Sequence, residues 1–251
     1  MALKNTLRTW HDSASLPKRL AHTLTKAVWR TYQFASVPEL RWQRITSWVH
    51  RDRYFQRSTF TSRDRYPELF DVCRRHLEQV ASPLLLSFGC STGEEVASLA
   101  QVIPRATIVG VDINRLCIRK CRERSTNERH HFCLRNSTEF DEIRNYDAVF
   151  CLAVFQRTEN RNMPGLSESV GISFEHFERE IVILDHKLKS GGLLIIDQTD
   201  FSFLDTKCSQ GYEILNFEGN CFPRNRPLFD RHNRKISDEQ QLNRIFVKRL
   251  R

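Results

Sequence analysis

A doubly wound α/β fold with a mostly parallel sheet is predicted by three features of this 251-residue chain. Leu84-Leu85-Leu86-Ser87-Phe88 is an apolar run without alternation, as expected of a parallel strand covered on both faces. It empties into Gly89-Cys90-Ser91-Thr92-Gly93-Glu94-Glu95, a glycine-bracketed turn, and then into a helix-spaced stripe of Val96, Leu99 and Ala100. Beyond the turn, strand-like and helix-like segments alternate regularly, which implies right-handed crossovers and a ligand at the C-terminal edge of the sheet.

Upstream of the first strand, helical patterns cover about 16–32, 38–50 and 64–80. The first repeats Leu16, Leu20, Leu24 and Val28 behind Ser15 and Pro17, which predicts a packed amphipathic helix rather than an organelle transit peptide. The third carries Leu69, Phe70, Cys73, His76 and Leu77 as a stripe. Residues 1–80 are expected to form a basic helical cap and residues 81–251 the ligand-binding domain.

Downstream, helix 93–102 leads through Pro104 to a strand Thr107–Val111, and helix 114–124 to a strand His131–Leu134. Ser91 or Thr92 is positioned to cap the helix that follows the turn. Ala148–Val154 reads as a fourth buried strand, a helix from about 173 to 189 ends at Gly191-Gly192, and Leu193–Ile196 is the fifth strand. Asn220–Ile236 changes character, being rich in Pro, Asn and Arg, and Arg244–Leu250 reads as a closing strand of an antiparallel hairpin.

The net charge is +9, and both ends of the chain are basic while the middle is acidic. That asymmetry suits steering of an anionic partner, with a solvated basic surface as the plainer explanation. No apolar stretch approaches the ~20 residues that span a bilayer, so no membrane span is expected. Eight scattered cysteines without a Cys-x-x-Cys pair predict reduced thiols and a cytoplasmic protein. Cys117, Cys121, His130, His131 and Cys133 match no standard zinc spacing, so core packing accounts for them and no metal is expected.

Asp112 ends the second strand, 19 residues after Gly93, where a carboxylate accepts hydrogen bonds from a ribose diol. The turn is neither Gly-x-Gly-x-x-Gly nor a P-loop, and Glu94 and Glu95 would repel a pyrophosphate at the helix N-terminus. The same carboxylates suit a ligand bearing an ammonium and a sulfonium, a description that S-adenosylmethionine meets.

Cys90-Ser91-Thr92-Gly93-Glu94-Glu95, Asp112, Tyr146-Asp147-Ala148-Val149-Phe150-Cys151 and Leu188-Lys189-Ser190-Gly191-Gly192-Leu193-Leu194 together resemble a class I S-adenosylmethionine-dependent methyltransferase. Within that superfamily the chain is most similar to the chemotaxis receptor glutamate methyltransferases, whose Ser-Thr-Gly-Glu-Glu turn and upstream Thr and Arg are matched by Thr59 and Arg63. The resemblance runs over roughly residues 55–205. It implies a Rossmann-like, doubly wound, mostly parallel seven-stranded sheet with an antiparallel C-terminal hairpin and an N-terminal helical extension. It further implies Gly89, Cys90, Ser91 and Gly93 against the methionine portion and Glu95 toward its amine. Asp112 would hold the ribose, Ile113, Asn136 and Ser137 the adenine, and Cys151 and Leu152 the sulfonium. Members carry Arg-Asn after the Phe-Cys of the fourth strand, where this chain has Leu152-Ala153.

The expected activity is methyl transfer to a small molecule or protein side chain, chiefly at oxygen. Two alternatives are an RNA-directed methyltransferase gripping nucleic acid with its basic ends and a catalytically silent binding module. Methyl transfer needs positioning more than a base, so no catalytic residue is assigned. His176 is the candidate base should the acceptor be a hydroxyl or amine, although a structural histidine explains it as well. The polar stretch Thr158–Gly171 reads as a surface connection or as a lid through which substrate enters.

Overall fold

A computed structural model describes residues 65–157, 160 and 166–250, together with residues 17, 23–25, 28 and 36. The chain divides into two compact units, Met1–Val49 and His50–Arg251. In the first, the described residues are helical. Leu24 and Val28, expected to pack, are 65% and 70% exposed. The expected helix over 38–50 lies outside the described residues.

In the second unit, helix α1 (Pro67–His76) places Pro67 in its first turn with Glu68, and Arg74, Arg75 and His76 in its last. Those charges complement the helix dipole. It is shorter than the expected 64–80 because Leu77 leaves helical geometry. There follow β1 (Leu84–Phe88), α2 (Glu94–Val102), β2 (Thr107–Asp112), α3 (Arg115–Arg124), β3 (His130–Leu134), α4 (Thr138–Glu142) and β4 (Tyr146–Leu152). Helix α5 (Phe174–Lys187) and β5 (Leu188–Asp197) come next, followed by β6 (Tyr212–Ile214), β7 (Leu228–Phe229), β8 (Lys235–Ser237) and β9 (Ile245–Lys248).

The main sheet has seven strands in the order β3-β2-β1-β4-β5-β9-β6. The first five are parallel, and β9 runs antiparallel between β5 and β6. This is the Rossmann-like arrangement expected, with β9 and β6 pairing antiparallel at its edge. A separate two-stranded antiparallel hairpin pairs β7 with β8.

Period-two alternation within the apolar strands supplies a core on each face. Leu86, Val149, Cys151, Leu194 and Ile196 face one cluster with Phe140 of α4 and Phe177, Ile181 and Leu184 of α5. Leu85, Ala148, Phe150, Leu193 and Ile195 face the other with Leu69, Phe70 and Cys73 of α1, Val96 and Leu99 of α2 and Ile118 of α3. Unalternating hydrophobicity is thus what a sheet between two helical layers requires.

Two local expectations are corrected. Helix α5 stops at Lys187 because Leu188 is already extended, and β5 starts there. Gly191 and Gly192 therefore serve an irregularity between the Tyr146–Leu188 and Ala148–Leu193 pairings, not a helix cap. A Cβ on Gly192 would sit 3.0 Å from the Lys189 carbonyl oxygen and 3.1 Å from that of Asp147. Strand β4 ends at Leu152 rather than Val154 because Ala153 takes φ +62°.

Buried charges staple the second helical layer. Arg135 Nε donates to Glu180 Oε2 at 2.9 Å with both side chains under a tenth exposed, and the guanidinium lies 4.9 Å from the Phe140 ring centroid. Glu180→Ala would leave that guanidinium buried without its counter-ion, so a loss of about 3–5 kcal/mol in denaturant unfolding is expected. An unchanged unfolding midpoint would contradict this.

Candidate active site at the C-terminal edge of the sheet

The turn after β1 packs three left-handed residues into five positions, Gly89 at φ +80°, Ser91 at +50° and Gly93 at +91°. Such backbone persists where neighbouring structure over-determines it. Here the N–H groups of Gly89 and Cys90 both donate to the Val111 carbonyl, at 2.7 and 2.9 Å, fastening the turn to β2. Ser91 N–H then donates to Asp112 Oδ2 at 2.9 Å, while Asn114 N–H donates to Oδ1 at 2.7 Å. One carboxylate thus ties the turn to the start of α3. Burial raises the Asp112 carboxyl above its ordinary value, opposed by the N–H groups of Asn114, Ser91 and Ile113.

Neither Ser91 nor Thr92 caps α2 as expected. Gly93 is the N-cap residue without a side-chain bond, the Ser91 N–H is spent on Asp112, and Thr92 Oγ1 donates to Glu94 Oε2 at 2.7 Å. The Cys90 thiol is turned inward beneath the turn, 3.8 Å from the Ser91 carbonyl oxygen. It is 1% exposed and pushed well above the thiol range by the neighbouring Cys121 and by burial. A Cβ on Gly110 would lie 2.7 Å from Phe132 and 3.1 Å from Cys90 Sγ. The strand glycine that sequence reading passed over is therefore what lets Cys90 tuck beneath the turn.

Glu95, in the first turn of α2, accepts a hydrogen bond from Ser87 Oγ at 2.7 Å. Burial pushes its carboxyl up to about 7, with the Ser87 bond and the Arg65 charge opposing. Ser87 is itself fully buried, and its signal was the single hydroxyl within an apolar strand. Farther along the edge, Ile113 is half-buried and Asn136 exposed, and the Arg135 N–H donates to the Asp112 carbonyl at 3.0 Å. The Ser137 hydroxyl accepts from Phe140 N–H at 3.3 Å as the α4 cap and donates to the Leu134 carbonyl at 2.7 Å. Cys151 is fully buried in the α5-side core, and Leu152 is buried on the opposite face. Thr59 and Arg63 lie outside the described residues. No hydrogen bond joins the His176 ring to the turn among the described residues; its backbone N–H donates to the Ser173 hydroxyl at the N-cap of α5.

Sequence reading missed a second set of residues, at the end of β5. Asp197 pairs in register with Leu152, and its carbonyl accepts from Ala153 N–H at 2.9 Å. Its buried carboxylate is gripped by both terminal nitrogens of Arg224 and lies 3.5 Å from Arg244 Nη1, which also donates to Glu68 at 2.8 Å. Gln198 takes φ +52°, its N–H donates to Asp197 Oδ1 at 2.7 Å, and its Nε2 donates to the Tyr66 hydroxyl at 2.8 Å. Tyr66 is buried, which raises its hydroxyl to about 12. Asp197, Gln198, Thr199, Phe222, Arg224 and Gln240 line a cleft there.

The polar stretch after β4 is pinned where it is described. Asp200 Oδ2 accepts from Arg157 N–H at 2.9 Å and from Asn160 Nδ2 at 2.8 Å, and the Arg157 guanidinium donates to the Gly171 carbonyl. Lys235 N–H donates to the Ser167 carbonyl at 2.7 Å and Ser169 N–H to that of Asn233 at 2.8 Å, which attaches the β7–β8 hairpin.

Residues 86–170 match a family model described as methyltransferase domain. That stretch contains the turn, Asp112 and the end of β4. Over those residues the chain is similar to a methyltransferase domain, and no finding supports the chemotaxis receptor type. No curated protein matches it by sequence. Among solved structures it is similar to the plantazolicin methyltransferase BpumL in complex with SAH, at 14% identity and TM-score 0.37 over 66% of this chain and 55% of that one. It is similar to StiE O-MT residues 961–1257, at 20% identity and TM-score 0.41 over 60% of this chain and 53% of that one. PKMT2 from Rickettsia typhi in complex with AdoHcy matches at 14% identity and TM-score 0.38 over 50% of this chain and 24% of that one. The chain therefore spans about half or less of these proteins' lengths, and no substrate is carried across from them. No helix among the described residues is long and apolar enough to cross a membrane.

Proposed function

We propose that the protein is an S-adenosylmethionine-dependent methyltransferase acting on a small molecule or protein side chain, at oxygen in the first instance. The observation that carries this reading is Asp112, whose carboxylate holds the glycine turn through Ser91 while sitting at the end of β2 beside Ile113. The residues fit the ligand. Gly89 is exposed at a left-handed turn where no Cβ stands over the backbone, which suits close approach of the methionine portion. Glu95 is a carboxylate without a salt-bridge partner among the described residues, suited to an ammonium. Asp112 would take the ribose diol, with Ile113 and Asn136 beside the adenine.

Held there, S-adenosylmethionine supplies a methyl group on positive sulfur for in-line displacement by an acceptor's lone pair. The chain's own contribution is position and the exclusion of water. Leu152 and Ala153 put no charged group at the end of β4, so the acceptor is oriented from the end of β5. A receptor carboxylate as acceptor has no support in this arrangement.

Calorimetric titration with S-adenosylmethionine tests the reading. Saturable binding by the wild type is expected, with Asp112→Ala weakened by about 2 kcal/mol, roughly 30-fold, for the loss of hydrogen bonds to a charged group. No binding by the folded wild type would remove the proposal.

A further inference from the structure

Across the sheet edge, polar groups form a row from β1 to β5. Ser87 bonds Glu95, the Tyr66 hydroxyl feels the charges of both Glu95 and Asp197, Gln198 bonds Tyr66, and Asp197 is clamped by Arg224. Resting on the methyltransferase reading, we propose that Gln198 is the residue that orients the methyl acceptor, and that the cleft takes a neutral acceptor carrying an O–H or N–H group rather than a carboxylate.

Gln198 is not glycine, yet it holds φ +52° at the end of β5, and its neighbour in the sheet, Ala153, holds +62° after β4. Left-handed geometry at two adjacent strand ends persists only where surrounding contacts impose it. Asp197, fixed by Arg224 and Arg244, receives the Gln198 N–H on its side chain and the Ala153 N–H on its carbonyl. The side-chain amide is then aimed by a buried tyrosine 132 residues away in sequence.

With Nε2 given to Tyr66, the amide oxygen Oε1 has no partner among the described residues, and it stands on a half-exposed side chain lining the cleft. A neutral acceptor of hydrogen bonds there engages an O–H or N–H, turning that group's lone pair away from Gln198. A carboxylate offers only lone pairs and is repelled. Phe222, 39% exposed with the Arg224 guanidinium 4.4 Å from its ring centroid, supplies an apolar face for the rest of the acceptor. Tyr66 acts through Gln198 and is a positioning residue. With its hydroxyl near 12 it stays protonated and takes no proton from the acceptor at neutral pH, so that proton passes to solvent.

Phenol, aniline, anisole and benzoate, titrated by ligand-observed NMR against the full chain saturated with S-adenosylhomocysteine, test this. Phenol and aniline are expected to bind at least fivefold more tightly than anisole and benzoate, which lack the donor. Tyr66→Phe and Gln198→Asn, the latter tolerant of left-handed backbone but one carbon too short, are expected to abolish that preference while leaving S-adenosylhomocysteine affinity within twofold. Equal binding of all four probes, binding of none, or a preference that survives Gln198→Asn overturns the assignment. If S-adenosylhomocysteine itself fails to bind, it is the methyltransferase reading that falls.

Discussion

Gly89→Ala is expected to weaken S-adenosylmethionine binding by about 100-fold. Gly89 sits at φ +80°, and a Cβ there would lie 2.5 Å from Val154 Cγ2. Left-handed geometry costs an alanine of order 1 kcal/mol and overpacking against a short branched side chain a further 1–3 kcal/mol. The turn relieves both by shifting, and the shift breaks the geometry of the Gly89 and Cys90 bonds to Val111. About 3 kcal/mol in binding corresponds to roughly two decades in Kd. The cause is separable by a double-mutant cycle, since Gly89→Ala combined with Val154→Ala should recover the overpacking part but not the backbone part. Calorimetry on the four proteins reads this directly, and a Gly89→Ala protein with wild-type affinity would show that the turn does not cradle the ligand.

Cofactor affinity is also expected to depend on pH through Glu95. Its carboxyl in the folded chain is raised from 4.5 to about 7 by burial, so between those values the folded state holds a proton that the unfolded chain has released. Stability of the unliganded protein therefore contains a contribution that is lost as pH rises from about 4.5 through 7. Binding runs the other way. An ammonium prefers the carboxylate, so below about 7 the ligand must first expel the proton, and affinity falls by up to tenfold per pH unit. The facing groups are the Ser87 hydroxyl and the Arg65 guanidinium, and both favour the charged form without restoring its ordinary value. Titrations from pH 5.5 to 8.5 should show affinity rising and then levelling above about 7, with Glu95→Gln weaker and flat across that range. A Glu95→Gln protein that keeps the wild-type pH profile would place the ammonium elsewhere.

Much of the fold was legible because its signals are local. An apolar run buried on both faces, a turn that needs left-handed backbone and an acid at the next strand end lie within 29 residues, from Leu84 to Asp112, and each restricts its own segment. The doubly wound arrangement follows from the alternation of strands and helices and from crossover handedness. Details failed where a neighbour in space decided them. Ser91 does not cap α2 because left-handed Gly93 takes the N-cap position, and Gly191-Gly192 cannot cap α5 because Leu188 has already joined β4. Cys151 reads as a site residue from its motif, but the period of the strand turns it into the α5-side core.

By itself the sequence determined the class of fold, the glycine turn and the carboxylate bonded to it, since these depend on residues close in the chain and on backbone preferences that glycine and apolar runs reveal. Tertiary structure alone decided the polar cluster at the end of β5. Tyr66, Asp197, Gln198, Arg224 and Arg244 come from α1's start, the end of β5 and the C-terminal segment, and none belongs to a periodic pattern. Their meaning is a matter of which buried charge finds which counter-ion. In a low-dielectric interior that choice is settled by contacts made only when the whole sheet has closed.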